Sequence, residues 1–399
     1  MHQVVIVGAS LAGLRAAETL RSEGFDGEIT VVGAEPHHPY DRPPLSKKLL
    51  AGALEPPQIA LRRPDEVAAL AVTWRLGVEA TSLDTKRRAV VLASGEELPY
   101  DGAVIATGAE PRRLPNEPPE ARVLRTIDDS LALHGLIRAG DKQVVVIGAG
   151  FIGLEVAATA RQLGNRVTVL EALPAPLIRG LGADIGSIIG AIHVDHGVEL
   201  RCGAVIGSIS RDGVTLDSGE HVIADVVIVG IGVAPATQWL EGSGLELRDG
   251  VVCDAMLNAG DPMIYAAGDV ARWFNELYGE EMRVEHWTNA AEQGAAAAKN
   301  LLAESRGDAT VPYAPVPFFW SDQYDRRIQF LGRSANHDEI AVVSGTPEDR
   351  QFVALYRSGD RLQGVVGLNL PRQVMPYRTL LADRTSWDDA LAHARASST

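Results

Sequence analysis

Two glycine-rich turns, each set between a run of β-branched residues and an alanine-rich stretch, constrain this chain more than any other feature. The first reads Val4-Val5-Ile6-Val7-Gly8-Ala9-Ser10-Leu11-Ala12-Gly13, the second Val144-Val145-Val146-Ile147-Gly148-Ala149-Gly150-Phe151-Ile152-Gly153. Each has the form of a buried strand, a tight turn and a helix, the opening of a βαβ unit. Such a turn offers bare backbone N–H groups at a positive helix end, which suits a pyrophosphate. Gly8, Gly13, Gly148, Gly150 and Gly153 are therefore candidate phosphate-turn residues, and the pairing predicts two dinucleotide sites in one protein.

With 40 glycines in 399 residues, three at fixed positions recur by accident about 0.4 times per chain, so one match alone is weak. Here both matches share a context. Each is followed by an acid at the end of the next apolar strand, Glu35 after Ile29-Thr30-Val31-Val32-Gly33 and Glu171 after Val167-Thr168-Val169-Leu170. These lie 22 residues past Gly13 and 18 past Gly153, where a carboxylate accepts hydrogen bonds from a ribose diol. Ser10 takes the place of the middle glycine in the first turn, where backbone approaches pyrophosphate closely; its small side chain is expected to be tolerated.

A length of 399 residues predicts two or three domains. After the first βαβ unit comes a hairpin-like stretch, and Tyr100 to Gly108 supplies another buried strand ending in small residues. Pro111 to Pro119 reads as a crossing linker. The second unit starts at Gln143 and closes with the strand Ala224 to Gly232, so one architecture is used twice. Met263 to Val270 forms a short strand that delivers Asp269 at a glycine turn, and a helix runs from Asn289 through Lys299. From Pro312 onward ten Arg balance ten acids with no Lys, and alternating segments such as Gln351 to Tyr356 predict a separate α+β domain.

The net charge of −15, from 37 basic and 52 acidic residues, argues against nucleic acid as the main partner. Only Met1-His2-Gln3 precedes the first strand, and no apolar stretch approaches membrane length, so a cytoplasmic protein without a signal peptide is expected. Cys202 and Cys253 stand fifty-one positions apart in no redox or metal spacing, and are expected to be small apolar side chains in a reducing compartment.

Further local sequences carry a family resemblance: Pro39-Tyr40-Asp41-Arg42-Pro43-Pro44-Leu45-Ser46-Lys47, Ala106-Thr107-Gly108, Phe151-Ile152-Gly153-Leu154-Glu155, Tyr265-Ala266-Ala267-Gly268-Asp269 and Phe319-Trp320-Ser321-Asp322-Gln323-Tyr324. Across essentially its full length the chain resembles the NADH-dependent rubredoxin, putidaredoxin and biphenyl-dioxygenase-type ferredoxin reductases, relatives of glutathione reductase and apoptosis-inducing factor. The resemblance implies an α/β fold with two Rossmann-like dinucleotide-binding domains plus a C-terminal α+β domain. FAD would occupy a discontinuous domain of residues 1–109 and 235–312, NADH an insertion of residues 110–234, and residues 313–399 would cover one side of the flavin.

In that picture the turn residues Gly8, Ser10 and Gly13 bind FAD, Ala12 and Glu35 touch its adenosine half, and Arg42 and Arg125 neutralise or position its phosphates. Ala80, Thr107 and Gly108 also line it, Asp269 bonds the ribityl chain, and Lys47 and Trp287 border the ring system. Gly148, Gly150, Ile152, Gly153, Glu171, Arg179 and Gly232 fall to NADH. Glu171 would accept the 2′-hydroxyl of NADH and repel the 2′-phosphate of NADPH, with Arg179 placed to offset that preference in part. Glu155 would pair with Lys47 at the hydride-transfer site. On sequence alone Lys47 is also compatible with a solvated lysine beside Lys48, Asp269 with a turn-former, and Glu155 with service to the helix dipole.

Residues 36 to 60 contain no cysteine, so no thiol follows the first βαβ unit to take electrons from a flavin. A flavin accepts a hydride and gives up electrons singly, which suits an iron–sulfur ferredoxin or a rubredoxin serving a cytochrome P450 or a ring-hydroxylating oxygenase. Arg326, Arg327, Arg333, Arg372 and Arg378 are candidates for docking it, and Trp287 and Trp320 for lining the flavin edge, although both tryptophans equally suit a core. An NADH oxidase or peroxidase, and a redox-sensing flavoprotein similar to apoptosis-inducing factor, are the alternatives. Monomer and homodimer both remain open.

Overall fold

The run Val4 to Val7 is almost wholly buried, as the centre of a parallel sheet requires, and this strand, Gln3–Val7, organises the first half of the protein. The computed structural model describes residues 1–397, so Ser398 and Thr399 of the expected C-terminal domain lie outside the described residues. It divides into two compact units, one of residues 1–41, 59–110 and 234–317, the other of residues 42–58, 111–233 and 318–399.

In the first unit five parallel strands lie in the order Ile264–Ala266, Gly102–Ile105, Gln3–Val7, Glu28–Gly33 and Thr73–Leu76. Helix Leu11–Ser22 follows the central strand and packs on helix Trp287–Arg306. A side chain at Gly294 would place its Cβ 2.2 Å from the Ala12 carbonyl oxygen, so the two backbones approach where only glycine fits. The second helix extends beyond the expected Asn289 to Lys299 because nothing breaks its apolar face before Gly307, which caps it at φ +76°. The hairpin-like stretch is a three-stranded antiparallel sheet of Ala80–Asp84, Ala89–Leu92 and Glu97–Pro99.

The second unit repeats the plan with a four-stranded parallel sheet in the order Glu199–Cys202, Arg166–Glu171, Gln143–Ile147 and Val226–Val229. Its C-terminal portion is an antiparallel sheet ordered Phe318–Gln323, Arg326–Gly332, Arg361–Leu368, Gln351–Ser358 and Glu339–Thr346, followed by three helices. It has the α+β character expected, but it falls in one unit with residues 111–233 instead of standing as a separate domain. Its apolar face shares one core with the parallel sheet: Ile328, Phe330, Phe352 and Tyr356 join the cluster that holds Val144, Val146 and Ala157.

Segment 42–58, which the resemblance places with the first domain, packs in the second unit. The reason is a set of buried attachments. Ser130 Oγ donates to the Leu45 carbonyl and Thr159 Oγ1 to the Ser46 carbonyl, each at 2.7 Å, while Leu50 enters the second core. Of the cysteines, Cys253 is buried as expected and Cys202 is exposed at a strand end. Among the described residues no helix is long and apolar enough to cross a membrane.

Candidate active site

The two glycine-rich turns have one geometry. Gly8 N donates to the Val32 carbonyl and Gly148 N to the Leu170 carbonyl, each at 2.7 Å. Both glycines adopt positive φ, +125° and +101°, that a side chain would resist. A Cβ on Gly13 would lie 1.9 Å from Gly8 O, and one on Gly153 would lie 2.1 Å from Gly148 O. Each helix therefore starts directly on its turn and presents its first N–H groups to whatever sits above.

Within the first unit, Ser10 is the N-cap of helix Leu11–Ser22 and supplies no side-chain cap. Ala12 is buried where the turn Gly268–Val270 approaches it: a Cβ at Gly268 would stand 3.1 Å from Ala12 Cβ. Glu35 follows its strand and accepts from the Tyr40 hydroxyl. Thr107 Oγ1 donates to the Ala236 carbonyl at 2.8 Å, Gly108 turns the chain at φ +72°, and Ala80 opens its strand half-buried. Asp269 is half-buried in its turn, and Trp287 donates from Nε1 to Asp41 at 2.7 Å. Trp287 and Trp320 are both half-buried, so neither is a core residue.

Gln293 escaped the sequence reading. Wholly buried, it accepts from Gly268 N at 2.8 Å through Oε1, leaving Nε2 without a partner. An open buried donor beside the Asp269 turn fits a bound polar group such as FAD. The signal available was its place on the helix, one residue before the close-approach Gly294.

Within the second unit, Gly150 is the N-cap of helix Phe151–Gln162, and a Cβ there or at Gly232 would meet nothing within 4 Å. That open space at two turn glycines fits a dinucleotide. Ile152 is 50% exposed on the same helix start, an apolar side chain left uncovered. Glu171 accepts from Ala149 N at 2.7 Å and Leu173 N at 2.9 Å, which ties its carboxylate to the turn. Arg179 is exposed in the short helix Ile178–Leu181. Arg42 donates to the Arg125 carbonyl at 2.5 Å, and Arg125 N to Asp129 at 3.0 Å.

The same unit brings Lys47 to Glu155. Lys47 Nζ lies 2.7 Å from Glu155 Oε2, with the lysine 19% exposed and the glutamate 3%. Ser46 Oγ donates to the same oxygen, and Ser321 Oγ to Oε1 at 2.6 Å. A buried carboxylate with a cation and two hydroxyl donors is fully satisfied, so Glu155 serves an ion pair rather than the helix dipole alone. Ser46 and Ser321 were not singled out in the sequence, although both lie in the motifs quoted there.

Residues 2–294 match the family described as pyridine nucleotide-disulphide oxidoreductase, and residues 318–398 the one described as reductase C-terminal. Rhodocoxin reductase from Rhodococcus erythropolis is 38% identical over 95% of this chain and 89% of its own. Putidaredoxin reductase from Pseudomonas putida is 35% identical over 96% of this chain and 92% of its own. The reductase in a covalent putidaredoxin reductase–putidaredoxin complex superposes with a TM-score of 0.91 at 33% identity, covering 99% of this chain and 98% of that one.

Proposed function

The chain belongs to the pyridine nucleotide-disulphide oxidoreductase family, and on that premise we propose that it is an FAD-dependent NADH:ferredoxin reductase. Its substrates are NADH and an iron–sulfur ferredoxin, or a rubredoxin, that supplies a cytochrome P450 or a ring-hydroxylating oxygenase. The observation that carries the reading is the repeated turn geometry at Gly8 and Gly148, two pyrophosphate cradles in one chain, with a buried Lys47–Glu155 pair in the second unit beside it. The relatives named as reductases of rhodocoxin and of putidaredoxin support the choice.

Bound FAD supplies the change from a two-electron hydride donor to one-electron delivery. The chain's own residues do the rest. The helix starting at Leu11 and the turn at Gly8 hold one pyrophosphate, with Glu35, Asp269 and Gln293 as hydrogen-bonding partners along FAD and Ala80, Thr107, Gly108 and Trp287 as its lining. Arg42 and Arg125 offset phosphate charge. The helix starting at Phe151 holds the pyrophosphate of NADH, Ile152 and Gly232 cover it, and Glu171 accepts its ribose hydroxyl.

Lys47 places an ammonium where negative charge grows during hydride transfer, and Glu155 fixes that ammonium in position. Residues 1–109 with 235–312, 110–234 and 313–399 then act as FAD, NADH and C-terminal domains of a cytoplasmic enzyme. Cytochrome c reduction by NADH, with and without an added 2Fe–2S ferredoxin, tests this reading. Turnover that depends on the ferredoxin is expected; equal turnover without it, or purified protein that takes up no FAD, would overturn it.

A further inference from the structure

Glu155 is engaged on both oxygens, and the Oε1 side leads away through a file of buried polar side chains. Ser321 has one hydroxyl hydrogen, spent on Glu155 Oε1 at 2.6 Å. Its oxygen then offers only lone pairs, and Gln323 Nε2 donates to it at 3.1 Å. That fixes the amide so that Gln323 Oε1 faces the other way, where His193 Nε2 lies at 2.8 Å. His193 must carry its proton on Nε2 to donate there, which makes Nδ1 an acceptor, and the Tyr324 hydroxyl meets it at 3.3 Å.

Four donors in series therefore point one way, at a single carboxylate. Ser321, Gln323 and His193 are 1%, 2% and 0% exposed, so water does not substitute for any of these three. Strand Phe318–Gln323 puts Ser321 and Gln323 on one face by its two-residue repeat. At the far end Tyr324 stacks on His196 with ring centroids 3.8 Å apart and lines a surface cleft with Arg161, Gln162 and Asp325.

We propose that Ser321 and Gln323, backed by His193, are positioning residues for hydride transfer: they hold the Glu155 carboxylate so that Oε2 stays on Lys47. This rests on the role assigned above to the Lys47–Glu155 pair. Removing the Ser321 hydroxyl leaves Oε1 buried without a donor, and the carboxylate is then free to turn from the ammonium.

The test is a double-mutant cycle on the FAD-loaded enzyme with Ser321→Ala, Glu155→Ala and the pair combined, plus Ser321→Thr and Gln323→Met. Stopped-flow flavin reduction at saturating NADH should slow about tenfold in Ser321→Ala and recover to within about twofold of wild type in Ser321→Thr. In the Glu155→Ala background Ser321→Ala should add less than about twofold. The thermal midpoint gives a second readout: Ser321→Ala should lower it by about 2 °C more in the wild-type background than in Glu155→Ala. Gln323→Met should fall between Ser321→Ala and wild type in both readouts.

A slow Glu155→Ala with a wild-type Ser321→Ala overturns the positioning role and leaves the ion-pair reading standing. Equal slowing by Ser321→Ala with and without Glu155, or no rescue by Thr, also overturns it, since packing alone would then be at work. Wild-type reduction by Glu155→Ala sinks the ion-pair reading and this inference with it.

Discussion

Gly153 sits so close to Gly148 that a methyl group on it would reach within 2.1 Å of the Gly148 carbonyl oxygen, and Gly13 stands in the same relation to Gly8 at 1.9 Å. In each case the contact is to backbone, which cannot move aside without lifting the helix off its turn. Gly153→Ala should therefore raise the Kd for NADH at least about tenfold while FAD content stays that of wild type, and Gly13→Ala should do the reverse. Absorbance of bound flavin and a titration with NADH read the two effects separately. Loss of both cofactors in either variant would contradict two independent cradles.

Lys47 is the cation beside a carboxylate that is 3% exposed. Breaking a buried pair from one side leaves an uncompensated charge, at a cost of about 3 kcal/mol. Lys47→Met should lose about that much stability in denaturant unfolding, and the double change Lys47→Met with Glu155→Gln should recover most of it. Flavin reduction by NADH should stay slow in the double variant, because the ammonium itself is missing. Recovery of the rate along with the stability would show that the pair serves the fold alone.

Glu171 holds its turn through Ala149 N and Leu173 N and also carries the charge that would repel a 2′-phosphate. Glu171→Gln removes the charge and keeps an acceptor for one of these two amides, which bond to different carboxylate oxygens. The ratio of kcat/KM for NADPH to that for NADH should rise about tenfold, chiefly through NADPH, and an unchanged ratio would remove Glu171 from coenzyme choice.

Both glycine-rich turns are legible in the sequence because the features that build them are local: a β-branched run, glycines at short spacing and a helix, all within about a dozen residues. The strand patterns carry the C-terminal sheet for the same reason. The placement of residues 42–58 is not local. It depends on Ser130, Thr159 and His134 reaching the carbonyls of Leu45, Ser46 and Leu50 across 84 to 113 residues, and no periodicity announces such a contact. Ser321 shows the boundary well: alternation puts it on the buried face with Gln323, yet only the fold shows that Glu155 lies opposite.

His193 is wholly buried between Gln323 and Tyr324, and burial pushes its pKa down from 6.5 to about 4. The hydrogen bond that His193 donates to Gln323 works in the opposite direction and the nearby His196 adds to the depression, but burial dominates. Above pH 6.5 the ring is neutral in both folded and unfolded chains and has no effect on stability. Below it the unfolded chain takes up a proton that the folded protein refuses, so stability falls with pH until the folded ring protonates near pH 4. A gap of about 2.5 pH units at about 1.4 kcal/mol each gives a loss of about 3 kcal/mol over that window. His193→Gln keeps an N–H for Gln323 and does not titrate. Its unfolding free energy should therefore decline about 3 kcal/mol less than that of the wild type between pH 6.5 and 4, and parallel declines in the two proteins would rule out His193 as the source.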